Sequence, residues 1–210
     1  MSTQDKDEML RTFTAKAEAV SCVVEEVPSM AKAFDYVVDL CGKKEACKLL
    51  ISGCEEALSK KAEGLCETKQ AKLVAAPNLN KKDFGSLKKK CNDNGFVCID
   101  EGMRDHLAGT DIGVALCQGG IADTGTVILD SDSEETRLAT MISEIFVAVV
   151  PKSKLFANTY EAEDVVSKLI GKDPSYTAFI TGASRTADIE RVLALGVHGP
   201  LEMHVLLLDK

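Results

Sequence analysis

The chain has 210 residues, 45% hydrophobic and 28% charged, with a net charge of −8 and a pI near 5.0. That is enough to build a sizeable core, and the acidic balance argues against broad nucleic-acid binding, which needs basic patches. The only basic triplet, Lys88-Lys89-Lys90, reads as a solvated helix face. No apolar run approaches the roughly 18–20 residues that span a bilayer. The acidic, polar start Met-Ser-Thr-Gln-Asp-Lys-Asp-Glu lacks the features of a signal peptide, so a cytoplasmic protein is expected. Cysteines stand at 22, 41, 47, 54, 66, 91, 98 and 117 with no Cys-x-x-Cys pair. The clustered spacing of zinc or iron–sulfur sites is therefore missing, and no metal site is expected, including at Cys41, Cys47, Cys54 and Cys66. Most of these thiols are expected as buried small hydrophobes, with Cys117 the one near a site.

In chain order, Met9, Leu10, Phe13 and Ala17 mark a helix over 5–19. The valine-rich stretch 20–27 reads as a strand, and Pro28 precedes a helix over 29–41 with Gly42 as its stop. Residues 44–62 read as one or two more helices. Residues 1–70 are thus mainly helical, ahead of an α/β core over 71–210, the whole expected as one domain.

From Ala71 strands and helices alternate. Strand 71–75 closes at Pro77, helix 81–94 turns Phe84, Leu87 and Cys91 inward, and strand 96–99 follows. Two apolar strands, 112–117 and 126–129, flank Gly119–Gly125 closely enough to suggest an antiparallel pair. Ser131-Asp-Ser-Glu-Glu135 reads as caps and first-turn acids of a helix over 134–142 rather than a metal loop. The β-branched run 145–150 fits a strand buried on both faces. A helix at 161–170, a strand at 176–180, a helix at 186–195 and a central strand at 202–208 complete a mixed, mostly parallel α/β sheet covered by helices.

Ligands of open α/β sheets bind outside the carboxyl ends of strands, and three segments qualify. In Thr181-Gly182-Ala183-Ser184-Arg185-Thr186 a turn after a strand leads into a helix start, with hydroxyls, unpaired N–H groups and an arginine suited to a carboxylate or phosphate. Asp188 and Glu190 either repel that anion or hold Arg185. In the second, Asp123-Thr124-Gly125-Thr126, glycine admits a ligand close to the backbone and Asp123 offers a base; a self-capped hairpin turn is the competing reading. In the third, Gly196-Val-His-Gly-Pro200, His198 is a candidate acid/base. His204, inside the last strand, reads as structural, and His106 has no visible partner. A Ser184–His198–Asp123 triad is set aside because Gly-x-Ser-x-Gly is missing; neither nucleotide-binding glycine motif is present.

Together, Thr181–Glu190, Leu195-Gly-Val-His-Gly-Pro200 and Ile121-Ala-Asp-Thr-Gly-Thr126 resemble the lactate utilization protein C family, also called the LUD domain. The resemblance is firm from about residue 110 and looser over 5–110. Where the family usually has glutamate this chain has Asp123, and Ala183 stands where proline is frequent. The resemblance implies a fold similar to the sugar-phosphate isomerase, deaminase and CoA-transferase superfamily. It also implies a part in oxidising L-lactate to pyruvate beside iron–sulfur partner proteins, with no cofactor bound by this chain. Thr181, Gly182, Ser184, Arg185, Thr186, Thr124, Gly125 and Thr126 would then bind a small carboxylate, with His198 and Asp123 as catalytic groups. A free-standing enzyme on a sugar phosphate or acyl-CoA, and a metabolite-sensing subunit, remain alternatives.

Overall fold

The structure is a computed structural model that describes residues 3–44, 71–107, 109–186, 194–195 and 199–209. The predicted helices over 44–62 lie outside the described residues, apart from Lys44. Five helices are described: α1 (Thr3–Ala19), α2 (Met30–Lys43), α3 (Lys81–Asp93), α4 (Glu134–Ile142) and α5 (Glu163–Ile170).

The main sheet has six strands, all parallel. They are β1 (Cys22–Val27), β2 (Leu73–Ala75), β3 (Val97–Ile99), β4 (Thr110–Leu116), β7 (Ser143–Pro151) and β12 (Glu202–Leu208), in the order β1-β12-β7-β4-β2-β3. As expected for its β-branched run, β7 is buried along almost its whole length. The strand from the N-terminal part, β1, is hydrogen-bonded along β12, so that part is woven into the sheet.

A second sheet holds β5 (Gly119–Ile121), β6 (Thr126–Asp130), β8 (Leu155–Phe156) and β9 (Thr177–Ile180), ordered β8-β5-β6-β9. The expected pairing of strand 112–117 with 126–129 does not form. The first is β4 in the main sheet, and the partner of β6 is the glycine strand β5. Strand 176–180 is likewise an edge of the small sheet, antiparallel to β6. Period and apolarity mark a strand but not the sheet it joins.

Two cores result. On one face of the main sheet, Phe34, Val37 and Cys41 of α2 and Leu87 and Cys91 of α3 pack on Val114, Val147 and Leu206. On the other, Met9, Phe13 and Ala17 of α1, one helical turn apart, pack between the two sheets against Val127, Leu129, Phe146 and Val205. Burying Phe13 completely is worth about 1.5–3 kcal/mol. The helix α5 covers the far side of the small sheet at Ile121 and Ile128.

Local chemistry fixes the boundaries. Ser29 caps α2 by accepting from the Lys32 N–H, and Asn80 caps α3 by accepting from those of Lys82 and Asp83. Gly42 does not stop α2, which continues to Lys43. Nor do the residues before α4 cap it by side chain. Ser133 makes no capping bond, and Asp132 instead accepts from the Tyr176 N–H at 2.5 Å. Where the winding reverses, between β2 and β4, the Asn78 amide donates to the Leu116 carbonyl (3.0 Å) and accepts from its N–H (2.9 Å).

The predicted helix 186–195 is corrected at its two ends, while residues 187–193 lie outside the described residues. Residues Arg185–Thr186 (β10) pair antiparallel with Ala194–Leu195 (β11). Such partners lie about 5 Å apart, whereas a helix over that stretch would hold its ends about 13 Å apart.

Candidate functional site

The chain leaves β9 at Thr181 and crosses the amino ends of β1 and β12. Gly182 has φ +85°, and a side chain on it would meet the Val20 carbonyl oxygen at 2.5 Å. The Ser184 N–H donates to the Pro200 carbonyl at 2.9 Å, and Arg185 Nη1 donates to Ser21 Oγ at 3.3 Å. Segment 181–185 therefore lies at the carboxyl end of β9 but at the amino ends of the two main-sheet strands. The strand whose carboxyl end it follows belongs to the small sheet rather than the main one. Because Arg185 and Thr186 enter a strand pair, the segment leads from β9 into β10 and not directly into a helix start.

Thr124 and Thr126 come from the turn between β5 and β6. The three hydroxyls of Thr124, Thr126 and Thr181 form a chain with 2.7 Å between successive oxygens. Thr126 is buried at its centre, while Thr124 and Thr181 are exposed. Three hydroxyl protons serve two contacts, so one remains to donate, with lone pairs free to accept. This chain joins two of the three segments that the sequence singled out.

Gly125 has φ +66°, and a side chain there would lie 2.4 Å from the Ala17 nitrogen and 2.6 Å from the Lys16 carbonyl carbon. Its lack of a side chain serves the end of α1 rather than a ligand. Gly119 and Gly120 are similarly filled by Phe156, Leu155 and Phe13. Asp123 is exposed, its N–H donating to the Ala157 carbonyl at 3.1 Å.

Ser21 and Cys22, at the turn from α1 to β1, were not singled out from sequence, yet they contact Arg185 and Gly182. The one structural sign is Ser21, a non-glycine residue at φ +66°. Burial pushes the Cys22 thiol up to about 11, against the Arg185 charge and a hydrogen bond from Gly182 that both pull it down. Cys22 is a thiol at neutral pH. Cys117 is wholly buried between the sheets and pushed to about 12, so it is a core residue rather than a site residue. Cys41 is buried in the α2 core, and its sequence neighbours Cys47, Cys54 and Cys66 lie outside the described residues. Among the described residues no cluster of His, Cys, Asp and Glu could hold a metal, and no helix is long and apolar enough to cross a membrane.

His198, Asp188 and Glu190 lie outside the described residues. The backbone of Thr186 pairs with Ala194. His204 is structural, as expected: Tyr36 Oη lies 2.8 Å from its Nδ1 and Glu202 Oε2 3.3 Å from its Nε2.

The family model described as LUD domain matches residues 10–208. "Lactate utilization protein C" of Geobacillus kaustophilus is 38% identical over 95 residues, 44% of this chain and 40% of that protein. The protein of that name from Shouchella clausii is 36% identical over 101 residues, covering 47% and 44%, and that of Bacillus subtilis 33% over 102, covering 47% and 42%. The matched stretch thus spans less than half the length of these relatives. The crystal structure of a DUF162 family protein from Deinococcus radiodurans superposes with a TM-score of 0.60 over 97% of this chain and 98% of that one, at 13% identity, which shows the shared fold. With a family model matched over nearly its whole length, the chain belongs to the LUD domain family.

Proposed function

We propose that the protein takes part in lactate utilization and binds a small 2-hydroxycarboxylate between the hydroxyl chain Thr124–Thr126–Thr181 and Arg185. The observation that carries the reading is the convergence of that chain with segment 181–185 in a protein of this family. Arg185 is exposed, and among the described residues Ser21 is its only hydrogen-bond partner. It therefore has donors left for a bidentate carboxylate contact. The hydroxyl chain suits the substrate hydroxyl.

Oxidation of lactate to pyruvate breaks one C–H and one O–H bond and releases two electrons and two protons. His198 is the proposed acceptor of the hydroxyl proton, with Asp123 as a second candidate. The electrons go to iron–sulfur partner proteins, because this chain is proposed to carry no redox cofactor. The system is proposed to work in the cytoplasm.

Thermal-shift and calorimetric titration with L-lactate, pyruvate, phosphosugars and CoA esters test the binding step. L-lactate or pyruvate should stabilise the parent protein, and Arg185→Gln and Thr181→Val should remove the effect while each variant still unfolds cooperatively. Stabilisation by CoA esters or phosphosugars with none by hydroxy acids would overturn the reading. So would robust lactate oxidation by the isolated, colourless chain, for its borrowed redox centre.

A further inference from the structure

At the opposite end of β1, the N-terminal half of α1 and the turn Lys152–Lys154 enclose a cavity of about 460 Å³. It lies outside the carboxyl ends of β1, β12 and β7. The chain leaves β1 towards α2 on one face of the sheet and leaves β7 towards β8 on the other, which opens a crevice above β12 between them. That is the kind of position where open α/β sheets receive ligands. Met9, Leu10 and Leu155 give the cavity an apolar wall.

At its rim, Lys152 is held between Glu26 and Asp209, the latter at 2.5 Å. Glu26 uses Oε2 for that ion pair; among the described residues Oε1 has no partner, and the side chain is 59% exposed. Leu10 and Glu26 also line an adjoining groove of about 580 Å³ along α1 that carries Arg11 and Thr14. Among the described residues Arg11 makes no ion pair, although Asp7 and Glu18 line the same groove.

We propose that cavity and groove together bind a ribonucleoside 5′-phosphate. Its planar base lies on Met9, Leu10 and Leu155. Its ribose diol donates to Glu26, as acidic residues at strand ends do for ribose hydroxyls. Its phosphate reaches Arg11, whose planar fork matches phosphate oxygens. The acids beside Arg11 weaken the anion contact, so base and ribose carry a large share of the affinity. The site is separate from the proposed carboxylate site and does not depend on it.

Isothermal titration with AMP, 2′-deoxy-AMP and adenosine tests this on the full chain. AMP should bind saturably, and loss of either the 2′-hydroxyl or the phosphate should weaken binding about tenfold. Glu26→Ala should abolish the AMP against deoxy-AMP difference, and Arg11→Gln the AMP against adenosine difference. Arg185→Gln should leave both unchanged, which separates this proposal from the hydroxycarboxylate reading. The proposal is overturned if AMP, GMP, CMP and UMP all fail to bind tighter than about 1 mM, or if the deoxy analogue binds as well as AMP. Should Glu26→Ala unfold through loss of its Lys152 contact, the two analogues on the parent protein still decide.

Discussion

Gly125→Ala tests the claim that this glycine is required by α1 rather than by a ligand. The new methyl would sit 2.4 Å from the Ala17 nitrogen and 2.8 Å from its Cα. Both are backbone atoms of a helix whose Ala17 is fully buried, so no side chain can swing aside. The residue would also stay at φ +66°, which costs an L-residue about 1–2 kcal/mol. Overpacking adds about 1–3 kcal/mol, so the expected loss is about 2–5 kcal/mol. With a urea m-value of about 2 kcal/mol/M, the unfolding midpoint should fall by about 1–2.5 M at unchanged m. Gly85→Ala is the matched control. Gly85 lies within α3 with nothing within 4 Å of a new side chain, so that change should stabilise by up to about 1 kcal/mol. An unchanged midpoint for Gly125→Ala, with ligand binding alone lost, would refute the packing argument and return the glycine to the ligand.

Asp111, 2% exposed, accepts from the Leu73 N–H at 2.8 Å and pairs with Lys44 at 3.0 Å. Burial alone would lower the Lys44 ammonium, but hydrogen bonds to Glu144 and Asp111 outweigh it and hold it above its ordinary value. Asp111→Ala should cost about 3–5 kcal/mol in chemical denaturation, and Asp111→Asn clearly less, because its amide oxygen still serves Leu73; equal losses would mean that charge rather than the acceptor matters. The buried thiols of Cys22, Cys41 and Cys117 should resist alkylation in the native protein at pH 7.5 and react on unfolding. Raised to about 11, 12 and 12, they keep their protons longer in the folded chain than in the unfolded one. They should therefore leave stability unaffected below about pH 9 and erode it as pH rises beyond that; a flat stability profile from pH 8 to 10.5 would contradict this. Tyr36→Phe removes the hydrogen bond to His204 and should cost about 1 kcal/mol by thermal melting.

Most helices and strands were readable because their signals are local. The stripe Met9–Phe13–Ala17 and the run Ile145–Val150 each carry their own period. Partnership was not readable. Tyr176–Ile180 is apolar whichever sheet it joins, and only three-dimensional packing assigns it to β6. At Thr186 and at Ala194–Leu195, the two ends of the helix expected over 186–195, strand pairing overrode the helical pattern. The glycines at 119, 120, 125 and 182 were visible as close approaches, but sequence cannot tell a ligand from a neighbouring helix. Thr124, Thr126 and Thr181 were each singled out locally; the Thr126–Thr181 link that completes the hydroxyl chain joins residues 55 apart and exists only in the fold.

Asn78 has a wider consequence. Its amide meets both the N–H and the carbonyl of Leu116, as the backbone of a neighbouring strand would. The side chain thus extends the β2–β4 seam by one rung and seals the crevice where a sheet with this winding would ordinarily admit its ligand. Among the described residues that gap is closed, and both proposed sites lie instead at the flank of the sheet, one at each end of β1. The two proposed sites are thus held apart by a strand six residues long and do not compete for the same space.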